Sequence, residues 1–185
     1  MKLSSKLICY HLQKSFPIHT SRLDTEPVLS CPACYEKATP LQDGRVYLVS
    51  GPDFRLTFRH PKNILFLIIG ASYHDYELSQ PNLCVIPQDI PVNTILNKLQ
   101  EIFLIYDQWN QSLIDSRLRN ASIMELMELT DCIIPNPMML IGMDFTIIAS
   151  RKWALGDLSN SVLGSSENSW ALVDSLKQDS NYEEA

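Results

Sequence analysis

Asn63-Ile-Leu-Phe-Leu-Ile-Ile69 places six large apolar side chains in succession. Neighbouring side chains of a strand point to opposite faces. An unbroken apolar run therefore fits a central strand covered on both sides better than a strand with one wet face. The run is far too short to cross a bilayer, and Gly70 closes it. Leu83-Cys-Val-Ile86, stopped by Pro87, has the same character, as does Arg45-Val-Tyr-Leu-Val49, closed by Ser50-Gly51-Pro52. Short apolar strands interleaved with helices predict an α/β fold on a small mixed sheet, partly parallel, with α+β as the alternative.

Outward from this strand, Leu3, Leu7, Ile8 and Leu12 lie at helical spacing, so residues 3–15 read as an N-terminal helix. Ser4 or Ser5 is a fitting cap and Pro17 ends it. Residues 18–29 read as a short strand with loops, Cys31 to Ala38 as a further strand, and Phe54 to Phe58 as a short edge element.

Residues 91–119, PVNTILNKLQEIFLIYDQWNQSLIDSRLR, form the longest periodic stretch. Ile95, Leu99, Ile102, Tyr106, Trp109 and Leu113 alternate spacings of four and three, and Leu96 and Phe103 widen the stripe. Pro91 is tolerated at a helix start. Such a stripe has two uses: to roof its own sheet, or to pair with a second copy. Its length exceeds what a small sheet needs to cover. The expected dimer interface is accordingly Ile95, Leu99, Ile102, Phe103, Tyr106, Trp109 and Leu113.

Asn120 breaks the long helix, and Ser122 with Glu125 forms a capping box for the next one, which ends near Cys132. After Pro135-Asn-Pro137, Met138–Ile141 and Phe145–Ala149 flank Gly142-Met-Asp144 and read as a β-hairpin. Residues 150–169 lack pattern, and Ser169 to Leu176 reads as a short helix. The expected organisation is an α/β domain over 1–90, connector and dimerisation helices over 91–134, and a further segment over 135–185.

Of the 185 residues, 45% are hydrophobic, enough for a sizeable core. The net charge of −6, with no block of like charges, argues against unaided binding to nucleic acid or an anionic membrane. The N-terminus breaks its apolar run too often for a secretion signal. Five scattered cysteines fit a reducing, cytoplasmic setting.

Chemistry-bearing motifs are sparse. Cys31-Pro-Ala-Cys34 has the spacing of half a zinc site or a redox pair, but no second CxxC or HxxxH supplies the other ligands. Nor does Tyr35-Glu-Lys-Ala-Thr-Pro40 read as the helix a thioredoxin-like site needs. His74-Asp75, between Tyr73 and Tyr76, follows a strand end where α/β ligand sites form, without a nucleophile at recognisable spacing. Arg55, Arg59, His60 and Lys62 cluster and fit an anion or a solvated loop. No phosphate-binding glycine pattern occurs. Met124, Met127, Met138, Met139 and Met143 suit core or interface filling. No catalytic residue, metal ligand or cofactor is assigned.

Several segments together resemble a family: Leu99-Gln-Glu-Ile-Phe-Leu-Ile-Tyr-Asp-Gln-Trp-Asn-Gln-Ser-Leu113, the capped helix from Ala121 to Ile133, and Asn136-Pro-Met-Met-Leu-Ile-Gly-Met-Asp-Phe-Thr-Ile-Ile-Ala149. This order is similar to the N-terminal sensory region of PucR-like (CdaR-related) bacterial transcriptional regulators. Pro32, Tyr35-Glu36, Leu41 and Gly44-Arg-Val-Tyr-Leu48 resemble its beginning. The resemblance implies a connector helix ahead of the start of a PAS/GAF-like domain. It implies a non-enzymatic, cytoplasmic sensing and dimerisation module, with a homodimer and a small-molecule effector as partners. The family's helix-turn-helix has no counterpart in these residues, so direct nucleic-acid contact is not implied. Two other readings stand beside it: a small enzyme or redox/metal protein using Cys31/Cys34 or the His74 loop, and a pure protein-interaction domain.

Overall fold

The computed structural model describes residues 1–37, 39–50, 63–72, 82–142 and 147–152. It is a mixed α/β fold dividing into two compact units, Met1–Gln108 and Trp109–Ala185. The division falls inside the long helix rather than at either element change, near 90 or near 134, that marks the sequence.

The first unit is built on a five-stranded sheet. Its strands are β1 (His19–Thr20), β2 (Cys31–Cys34), β3 (Arg45–Ser50), β4 (Ile64–Ile69) and β5 (Leu83–Ile86), in the order β1-β5-β4-β3-β2. β2 to β5 run parallel, and β1 lies antiparallel on β5. All six residues of β4 and all four of β5 are buried, as an apolar run without alternation requires. Each such side chain contributes about 1.5–3 kcal/mol on leaving water.

The strand register sorts these side chains onto two faces. Tyr47, Phe66 and Leu83 are aligned neighbours, as are Val49, Ile68 and Val85. With Ile64 and Ala71 they form one core cluster, against which Ala33, Tyr35 and Leu41 pack. The rings of Tyr47 and Phe66 stack at 5.9 Å, and Tyr35 meets both edge-on. The Tyr47 hydroxyl accepts from the Gln42 backbone N–H at 2.8 Å, which satisfies the polar tip of a buried ring. Tyr35 and Leu41 belong to the β2–β3 connection and Ala71 to the β4–β5 connection. Parallel strands taken in sequence order carry right-handed crossovers on one side, and these residues cover that side.

The opposite face presents Val46, Leu48, Leu65, Leu67, Ile69, Cys84 and Ile86, all buried. On it lies α1 (Ser5–Leu12), which buries Ile8, Cys9 and Leu12 and brings the Cys9 thiol to that of Cys84. Ser4 caps α1 by accepting from Leu7 N–H. Leu3 exchanges backbone hydrogen bonds with Leu29 at 2.7 and 2.9 Å. Pairing this edge of the chain leaves α1 no slack. α2 (Val92–Leu118) joins the same side, with Tyr106 bonded to His11 of α1.

Two residues at positive φ fix the entries to the strands. Gly44 (φ 74°) donates to Asn63 and accepts from Ser30, and a Cβ there would meet the Val28 carbonyl at 3.0 Å. Asn82 (φ 59°) is 1% exposed, exchanging bonds with Asp24 at 2.6 and 2.9 Å and donating its N–H to Arg22. These bonds hold the strap between β1 and β2 to the start of β5.

The second unit contains α3 (Ile123–Leu129), extended by a 3₁₀ turn over Thr130–Cys132, and the antiparallel pair β6 (Met138–Ile141) and β7 (Ile147–Arg151). Asn120, at φ 55°, ends α2 by a left-handed turn that only a few side chains tolerate. The expected Ser122–Glu125 capping box is formed. The edge element expected at 54–58, the turn at 143–146 and the helix at 169–176 lie outside the described residues.

Replacing Asn82 by Ala should cost about 2–3 kcal/mol in a urea titration, through left-handed strain added to lost hydrogen bonds. Gly at the same position, free of the strain, should cost about 1 kcal/mol less. Equal losses would place the whole effect in the side chain.

Candidate functional site

α2 is the element on which most candidate residues sit, and its two faces have different fates. Ile95 and Leu99 are 0% exposed, Ile102 1%, Tyr106 4% and Phe103 7%. Trp109 and Leu113, further along the helix, are half-buried. The stripe expected at a dimer interface is therefore committed, for its first five residues, to the core of the chain itself. The physical reason is the sheet: with β4 and β5 apolar on both faces, burying the stripe there removes two apolar surfaces from water at once.

The outer face of α2 is the part still open. Leu104, Asp107, Gln111, Ile114 and Leu118 are all exposed, and Leu118 is 77% exposed. They follow one another at spacings of three, four, three and four, the repeat of a coiled-coil seam. Leu104, Ile114 and Leu118 fall within about 80° around the helix at 3.6 residues per turn. This second repeat was hidden in the sequence because two of its five positions are polar.

The tyrosine of the inner stripe marks a polar junction. The Tyr106 hydroxyl lies 2.9 Å from Nε2 of His11, with the rings edge-on at 5.6 Å. Tyr10 meets the same imidazole edge-on at 5.4 Å, and the Lys14 ammonium sits over the Tyr10 ring at 4.2 Å. Burial lowers the His11 pKa from its ordinary value, and the charges of Lys14 and Lys98 lower it further. The sequence hint was indirect: a buried Tyr needs a partner for its hydroxyl, and His11 stands one turn beyond Ile8 on the edge of α1's apolar face.

In the second unit the organising side chain is Arg151. Buried in β7, it donates to the Asp131 carboxylate and to the carbonyls of Ile134 and Asn136, the last at 2.9 Å. Lys152 also pairs with Asp131 and reaches the Pro135 carbonyl at 3.1 Å. The Lys152 hydrogen bond, with the Lys152 and Arg151 charges, holds the Asp131 carboxyl below its ordinary value. These contacts hold the segment after α3 to β7.

The CxxC motif does not converge. Both cysteines lie in β2, and residues three apart on a strand point to opposite faces. One ion or one disulfide cannot take both without dismantling the strand. The buried thiols behave differently again: the hydrogen bond of the Cys84 thiol to Cys9, followed by burial, pushes the Cys84 thiol well above its ordinary pKa. A thiol held protonated is a poor nucleophile. All five cysteines are free, and among the described residues no group of three or more His, Cys, Asp or Glu is placed to hold a metal. The His74 loop and the Arg55, Arg59, His60 and Lys62 cluster lie outside the described residues. Among the described residues no helix is long and apolar enough to cross a membrane.

No family model, curated protein or solved structure matches the chain.

Arg151→Ala leaves the Ile134 and Asn136 carbonyls without their donor and Asp131 with Lys152 alone, with an expected loss of about 2 kcal/mol by chemical denaturation. Lys152→Ala removes one exposed ion pair and should cost under about 1 kcal/mol. If the two losses are alike, Arg151 does not organise this unit.

Proposed function

We propose that the chain is a non-enzymatic sensing and dimerisation module of a PucR-like transcriptional regulator. It acts in the cytoplasm as a homodimer that takes a small-molecule effector. One observation carries this reading: the exposed three–four repeat of Leu104, Asp107, Gln111, Ile114 and Leu118 on a helix whose other face is already occupied. A second copy of the same helix is the partner whose geometry such a repeat fits. Polar residues inside a seam weaken it but fix its register; Gln111, which donates to Asp115 along its own helix, and Asp107, which pairs with the Met1 amino group, would have to exchange these partners to take that role.

The mechanism is conformational. Val92–Gln108 belongs to the first unit and Trp109–Leu118 to the second, so one helix serves both. An effector that binds one seating of this helix better than another shifts the population of seatings, and the shift is read at the paired face. The acidic balance of the chain supports a segment that does not itself touch nucleic acid. The alternative of cysteine chemistry loses support from the opposed directions of Cys31 and Cys34. A pure interaction domain would use the same seam and differ only in having no effector.

Sedimentation equilibrium tests the seam. The expected result is a dimer that the Ile114→Asp, Leu118→Asp double variant weakens at least about tenfold, with circular dichroism unchanged. Ile102→Asp, by contrast, should unfold the first unit, because that side chain is in its core. A monomeric wild-type chain, or a dimer indifferent to the double variant, removes the proposal. A thermal shift by one compound of a metabolite panel would separate a sensor from a pure interaction domain.

A further inference from the structure

We propose that the His11–Tyr106 contact is a pH-sensitive latch, which seats α1 on α2 while the imidazole is neutral and loosens when it is protonated. The inference stands apart from the dimer reading and needs only the geometry of the first unit.

Two helices distant in sequence meet at this point through a polar contact of 2.9 Å, between residues 95 positions apart. Tyr106 is 4% exposed, so its hydroxyl sits at the boundary of the core, where a change of partner is costly. With the neutral imidazole in the tautomer that carries its proton on Nδ1, Nε2 accepts from the Tyr106 hydroxyl. Protonation turns Nε2 into a donor, and the phenolic hydrogen must then be directed elsewhere.

The charges around the ring decide which form the contact tolerates. Lys14 follows His11 on the same helix end and is held nearby by the Tyr10 ring. Lys98 approaches from α2, paired with Glu101 at 2.9 Å. Asp107, adjacent to Tyr106 on α2, is ion-paired with the Met1 amino group. Protonated His11 would thus be a third cation beside Lys14 and Lys98, with these carboxylates already engaged. The carbonyl end of α1 favours a cation, but this effect is small at a partly exposed position. Burial acts in the same direction as the two lysines, and together they lower the His11 pKa.

The sign of the response follows. Folding lowers the affinity of His11 for a proton below the ordinary value of 6.5. The unfolded chain then binds more protons than the folded one just below that pH, and stability rises with pH through this window. The latch is fully engaged above 6.5 and is lost as the pH falls below it. Loosening would act first on α1, which the apolar contacts of Ile8, Cys9 and Leu12 would still hold to the sheet.

Two measurements on the full chain test this. The imidazole of His11, followed by NMR, should titrate below 6.5 in the wild-type chain and move back towards it in Lys14→Gln, which removes the stronger of the two opposing charges. Amide protection over residues 8–12, corrected for intrinsic exchange, should fall severalfold between about pH 7.5 and about pH 5.5 in the wild type. It should stay level in His11→Gln, whose side-chain oxygen replaces Nε2 as acceptor without taking a proton. A wild-type titration at or above 6.5, which requires no variant to fold, overturns the latch. So does equal pH dependence of protection in wild type and His11→Gln.

Discussion

The burial of Ile64–Ile69 on both faces of the sheet is the constraint from which the first unit follows. A strand with no polar side chain cannot sit at an edge or face water, so it needs strands on both flanks and cover above and below. β3 and β5 supply the flanks. One cover comes from the connections between parallel strands, through Tyr35, Leu41 and Ala71, packed on the stacked Tyr47 and Phe66 rings of the sheet itself. The other comes from α1 and the inner stripe of α2. The short outer strands β1 and β2 then complete the sheet, and Pro32 in β2 removes a donor from an edge that would otherwise invite further pairing.

This demand for cover decides how α2 is used. Its inner stripe fills the space over the sheet, so what remains for another chain is the outer face, which mixes Leu104, Ile114 and Leu118 with Asp107 and Gln111. On the proposed reading, a mixed seam pairs more weakly than an apolar one, which suits a helix whose seating is meant to shift. The same packing draws Tyr106 against α1, where its hydroxyl needs a partner at the edge of an otherwise apolar surface. His11 fills that need, and its proton affinity thereby becomes tied to how the two helices sit.

The second unit solves a different problem with fewer apolar residues. Two antiparallel strands are marginal alone, and Leu140, Ile141 and Ile148 remain at least partly open. Arg151 compensates by gathering a carboxylate and two carbonyls of the 131–136 segment around one planar group. Removing donors from such a set leaves several acceptors unpaired, which makes it more sensitive than any single surface ion pair.

Much of the fold was legible in the sequence, because local rules encode it. The full apolar run of β4, the turn formers after β3 and β5, the Ser122–Glu125 capping box and the break at Asn120 each carry their own signal within a few residues. The hairpin pairing of β6 and β7 was legible for the same reason. The candidate site was much less so. Periodicity established that Ile95, Leu99, Ile102, Phe103 and Tyr106 must be covered, but not by what: one chain's sheet and a second chain's helix satisfy the same pattern. Only the tertiary structure decided this, because the competition is settled by surfaces far away in sequence. The meeting of His11 with Tyr106, the opposed directions of Cys31 and Cys34 once β2 forms, and the closure of Arg151 on Asp131 are decisions of the same kind. The sequence by itself determined which segments become strands and helices and which of their faces are apolar. Long-range packing determined which apolar face is already taken, and so which one is left to act.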